Sequence, residues 1–114
     1  MKDTKVPENK PPFSYKKVPA QIYNFQYWTK QTCPKILKTT LDSLLKQSNY
    51  TVIQYIEHHF PVSGFTAIWL LAESHLAVHT FPTDNTSYIE LSGCNKEMNL
   101  AFETLFFESV LHEK

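Results

Sequence analysis

Apolar and polar residues alternate along this chain with two periods, and the switches between them mark out the elements. The run IYNFQYW that follows Gln21 is aromatic and rich in β-formers, and predicts a first strand over residues 21–29. Ile36, Leu37, Leu41, Leu44 and Leu45 then recur at helical spacing. With Thr32 as cap and Pro34 in the first turn, they predict an amphipathic helix ending near Ser48. Residues 50–59 mix β-branched and polar side chains and read as a half-buried strand, and 60–64, with Pro61 and Gly64, as a turn. An unbroken apolar run of strand length fills 65–72, β character resumes over 76–81 after Ser74 and His75, and 82–85 form a second turn. In 86–91, Tyr88 and Glu90 alternate with Ile89 and Leu91 as in a strand with one buried face. Asn95 then caps a last helix whose stripe is Met98, Ala101, Phe102, Leu105 and Phe106.

The order β-α-β-β-β-β-α, with strands in runs joined by short turns, predicts an α+β fold: a two-layer antiparallel sheet with both helices packed on one face. The bare face then needs a partner, which argues for a homodimer. Residues 1–19 hold five lysines and four prolines with few aliphatic side chains, and read as a flexible tail before a single domain over 20–114.

Composition narrows the function classes. At 114 residues and 42% hydrophobic the chain suffices for one core and not two. Eleven basic residues balance eleven acidic ones, so no charge signature points to nucleic acid or an anionic membrane surface. The longest apolar run is far short of the roughly 20 residues that span a bilayer. Cys33 and Cys94 could form one disulfide, but no apolar signal segment precedes the fold, so free thiols in a cytoplasmic protein are expected. The Asn49-Tyr50-Thr51 and Asn85-Thr86-Ser87 sequons therefore carry no glycosylation weight.

The chemistry-bearing residues cluster late: Glu73-Ser74-His75, then His79 and Cys94. Singly each has an ordinary explanation as a turn serine, a sheet histidine or a small buried thiol. His58, His59, His75, His79 and Cys94 have no recognisable ligand spacing, so no metal site is expected. In sequence order, however, GFTAIWLLAESHLAVHTFP, residues 64–82, resembles the signature segment of the S-adenosylmethionine decarboxylase family, small prokaryotic type. That segment runs through Gly, Ser or Thr, an apolar strand, Glu-Ser-His and His-Thr-aromatic-Pro. Cys94 stands at the family's separation from Ser74 for its catalytic cysteine. The weaker likeness extends back to about Gln21.

The resemblance implies a proenzyme that cleaves itself between Glu73 and Ser74. The Ser74 hydroxyl would attack the Glu73 carbonyl carbon, and β-elimination of the resulting ester, then hydrolysis, would leave a pyruvoyl cofactor on residue 74. It also implies that His79 removes the Ser74 α-proton, that Thr66 hydrogen-bonds during processing, and that Cys94 protonates the substrate α-carbon. The pyruvoyl ketone would condense with the substrate amine as a Schiff base and act as electron sink. Phe60 stands where the family stacks an aromatic ring on adenine. In an unbroken strand Ser74 and His79, five apart, face opposite sides, so cleavage or a local bend must relieve the mismatch.

Two departures bear on the substrate. The family usually follows His-Thr-aromatic-Pro with a ribose-binding Glu. Here that residue is Thr83, and the adjacent Asp84 would point the other way if the strand continued. The family's Thr-Cys-Gly is Gly93-Cys94-Asn95 here. Three functions are therefore weighed: decarboxylation of S-adenosylmethionine for spermidine synthesis; the same chemistry on arginine or ornithine; and an unprocessed regulatory homologue. Intact Glu-Ser-His, Thr66, His79 and Cys94 favour the first two. Homologues also commonly continue into a further strand, whose place residues 13–18 could take.

Overall fold

A computed structural model of the protein describes residues 21–112, so the expectations for the tail and for residues 13–18 lie outside the described part. The elements follow the predicted order: β1 (Tyr23–Thr29), α1 (Pro34–Gln47), β2 (Val52–His59), β3 (Phe65–Leu71), β4 (Ser74–Phe81), a short 3-10 helix (Pro82–Asp84), β5 (Thr86–Gly93) and α2 (Lys96–Phe107). The strands form one antiparallel sheet in the order β1-β5-β4-β3-β2.

Register explains the core. Phe25, Leu91, Leu76, Trp69 and Tyr55 are cross-strand neighbours in one row, and Tyr27, Ile89, Val78 and Ala67 form the next. Because side chains alternate across a strand, both rows face one side. They join Leu37, Leu41, Leu44 and Leu45 of α1 and Phe102 and Phe106 of α2 in a single buried cluster. Both helices thus cover the same face, as the pattern predicts. The opposite face carries Trp28, Ile56, Ile68, Leu70 and Phe81 exposed. The unbroken apolar run of β3 is therefore two stripes: Phe65, Ala67, Trp69 and Leu71 go inward, Ile68 and Leu70 outward.

Three local expectations are corrected. Thr32 does not cap α1; Cys33 holds the N-cap position without a side-chain bond, while its N–H donates to Gln31 Oε1 at 2.9 Å. Ile36 falls outside the buried stripe and is exposed. β2 is more exposed than half-buried, because it is an edge strand with an irregular register at Val52/Gln54, and only Val52 and Tyr55 lean on the core. At α2 the predicted cap holds, with Asn95 Oδ1 accepting from the Met98 N–H at 2.9 Å. The helix also buries a polar residue that the stripe omitted, Asn99, whose amide donates to the Tyr23 carbonyl at 3.0 Å.

Candidate active site

The β3–β4 hairpin turns on two residues, Ala72 and Glu73, since Leu71 pairs with Ser74. Glu73 adopts φ 61°, left-handed backbone that favours glycine and costs a residue bearing a Cβ about 1 kcal/mol or more. A turn chosen for stability alone would place Gly or Asn there. The strained residue carries the carbonyl next to Ser74. From the end of β5, the Cys94 thiol lies 3.7 Å from that carbonyl oxygen and 3.5 Å from Glu73 Oε1. Glu73, Ser74 and Cys94 share a cavity of about 420 Å³ with Tyr50 and Met98. A larger groove, about 680 Å³, runs along α1 beside Tyr55 and has none of these residues in its lining.

A second group gathers at the other end of β4 on the bare face. His79 and Thr66 are cross-strand partners, with Thr66 Oγ1 and His79 Nδ1 at 3.0 Å. His58 is the next residue across, opposite Thr66, and its ring meets the edge of Phe60 at a centroid distance of 4.6 Å. Phe60 is largely exposed, so it is not a core phenylalanine. Thr83 and Asp84 are exposed in the 3-10 helix just beyond β4, and neither makes a side-chain hydrogen bond among the described residues.

The two groups do not meet within one chain. β4 keeps a continuous register from Ser74 to His79, so the expected local bend is absent and the residues stay on opposite faces. Five residues of strand also separate them by about 16 Å, at about 3.3 Å per residue. The family resemblance named Glu73, Ser74, Cys94, Thr66 and His79 without pairing Thr66 with His79; the structure brings Glu73, Ser74 and Cys94 together and sets Thr66 beside His79. It missed Tyr50, which it read as a strand start; the one local signal was Asn49, a residue suited to ending a helix in left-handed backbone.

Cys33 and Cys94 are both free thiols. Among the described residues no group of three or more potential ligands could hold a metal ion, and no helix is long and apolar enough to cross a membrane.

With this geometry in hand, likeness to known proteins is informative. The S-adenosylmethionine decarboxylase family model matches residues 22–111. A protein of Prochlorococcus marinus (strain MIT 9313) described as an S-adenosylmethionine decarboxylase proenzyme is 34% identical over 61 residues, 54% of this chain and 49% of that protein. One of Aquifex aeolicus (strain VF5) with the same description is 31% identical over 58 residues, 51% and 43% of the two lengths. The matched segment thus spans about half the length of these curated relatives. The crystal structure of the adenosylmethionine decarboxylase from Aquifex aeolicus VF5 superposes with a TM-score of 0.66 at 18% identity, covering 78% of this chain and 79% of that one, a likeness of fold. Since the family match takes in both helices, all five strands and both groups of candidate residues, the chain belongs to the S-adenosylmethionine decarboxylase family.

Proposed function

We propose that this protein is a pyruvoyl-dependent decarboxylase that matures by breaking its own chain between Glu73 and Ser74, and that its substrate is S-adenosylmethionine. The observation that carries the reading is the Glu73-Ser74 junction, where a strained left-handed residue precedes the serine and a thiol stands 3.7 Å from the carbonyl to be attacked. Attack by Ser74 Oγ on the Glu73 carbonyl carbon converts an amide into an ester. Strain located at that bond is relieved when it opens. The Cys94 S–H donates toward the carbonyl oxygen on which charge develops, and in the mature enzyme the same thiol is placed to return a proton to the substrate α-carbon.

The pyruvoyl group supplies an electron sink for loss of carbon dioxide. The residues around Ser74 suit such a group, because the cavity already holds a thiol and a phenol beside the position where its ketone would stand. His79 works as a base whose ring is oriented by Thr66. Since neither reaches Ser74 in its own chain, the reading requires a second copy to supply them. The bare face supports this: Trp28, Ile56, Ile68, Leu70 and Phe81 are exposed on the same side as Thr66 and His79, and apolar surface of that kind marks an interface. Each site of the homodimer would then combine Ser74 and Cys94 of one protomer with His79, Thr66 and Phe60 of its partner.

Decarboxylation of a basic amino acid such as arginine or ornithine is the second reading, favoured by Thr83, which cannot accept two ribose hydroxyls as a carboxylate does, and by the exposure of Asp84. The test is carbon dioxide release by processed protein from S-adenosylmethionine, arginine and ornithine side by side. Release from S-adenosylmethionine alone is expected; release only from an amino acid assigns the second reading, and a chain that stays at a single full-length mass assigns the unprocessed regulatory role.

A further inference from the structure

Tyr50 enters the Ser74 cavity from the end of α1. Its side chain is 5% exposed, and its hydroxyl is a buried polar atom with no hydrogen-bond partner among the described residues. Buried hydroxyls are nearly always paired, so an orphan beside reacting groups calls for an explanation. The neighbouring Asn99 amide gives one of its two N–H groups to the Tyr23 carbonyl at 3.0 Å. A helix terminus holds the phenol in place: Asn49 turns at φ 71°, its N–H bonds to the Lys46 carbonyl at 3.1 Å, and the Tyr50 N–H bonds to the Leu45 carbonyl at 2.9 Å.

Gly93 lies close to both the phenol and the serine. A Cβ on Gly93 would lie 2.9 Å from Tyr50 Oη and 2.9 Å from Ser74 Oγ, so any larger residue would crowd both hydroxyls.

We propose that Tyr50 is a positioning residue for self-cleavage: across the gap left by Gly93, its hydroxyl forms a hydrogen bond with Ser74 Oγ and turns that oxygen toward the Glu73 carbonyl carbon. The proposal rests on the self-cleavage reading and adds a residue that the signature segment does not contain. In the step it serves, the Oγ–C bond forms, the C–N bond breaks and the serine hydroxyl proton ends on the Ser74 nitrogen. Tyr50 keeps its own proton throughout, in keeping with its burial, which pushes the phenol up.

The experiment follows fragment formation by intact mass for the full chain, Tyr50→Phe and Gly93→Ala, each with and without hydroxylamine, which cuts an ester but not an amide. Thermal unfolding serves as the folding control. Expected is cleavage about tenfold slower in Tyr50→Phe, with hydroxylamine failing to restore it because the ester has not formed, and the same block in Gly93→Ala. Cleavage of Tyr50→Phe at the unmodified rate overturns the proposal, as does hydroxylamine cutting it as fast as the unmodified chain. If Tyr50→Phe unfolds, Gly93→Ala, which keeps the phenol, decides by the same two criteria. A full chain that stays at one mass removes the self-cleavage reading and this proposal with it, a failure distinct from that of Tyr50 alone.

Discussion

Glu73 and Cys94 stand in a geometry that stability alone does not explain. A Glu73→Gly replacement should raise stability by about 1 kcal/mol through relief of the left-handed conformation, shifting the thermal midpoint up by a few degrees, and should slow chain cleavage. A calorimetric scan beside a cleavage time course checks both halves, and a midpoint that falls contradicts the strain argument. Cys94→Ala should slow cleavage, because the thiol donates toward the carbonyl under attack, and should reduce decarboxylation by roughly 10²-fold or more, the usual weight of a positioned acid. Steady-state carbon dioxide release on already cleaved protein measures that loss. The sequence already pointed to both residues through the resemblance of 64–82 and the Cys94 separation to the family's signature. Tyr50 carried no such mark: its importance comes from a side chain missing forty-three positions later, at Gly93, and only folding brings the two together.

The elements were legible to the extent that one face of each is buried. Leu37, Leu41, Leu44 and Leu45 gave α1, and Ile89 and Leu91 gave β5, because alternation and helical spacing record which side meets the core. Leu41→Ala should accordingly cost about 2–5 kcal/mol in denaturant unfolding, and Asn95→Ala, which removes the α2 cap, about 1 kcal/mol. β2 was legible as a strand but not as an edge, since edge position depends on sheet order, which no local pattern records. On its core side, Glu57 accepts from Tyr55 Oη at 2.6 Å and pairs with His59 Nε2 at 2.9 Å. These bonds, the Tyr55 one first, hold the Glu57 carboxyl below the ordinary carboxylate range. A depressed carboxylate stabilises the fold above its unfolded value, and that contribution disappears as pH falls through the folded one. Glu57→Gln should therefore narrow the midpoint difference between neutral and acid pH, by a small amount because the group is solvated. An unchanged difference in thermal scans across that range counts against the network.

At the scale of the whole molecule, the chain carries two groups of candidate residues on opposite faces of one sheet. The sequence offered most of these residues, though not Tyr50, and even the parity conflict between Ser74 and His79, but not its resolution, since an unbroken β4 emerges only from the register with β3 and β5. If a partner closes the site, Ile68→Glu on the bare face should yield monomers by sedimentation and abolish turnover. Co-expressed Ser74→Ala and His79→Ala chains should recover carbon dioxide release that neither shows alone, and no recovery contradicts a shared site. All of this depends on the backbone opening where Glu73 meets Ser74. The most direct measurement is the intact mass of freshly purified protein. The account predicts two chains, residues 1–73 and 74–114, the second lighter by one ammonia than a serine-terminated fragment. A single species at the full 13.3 kDa would contradict it.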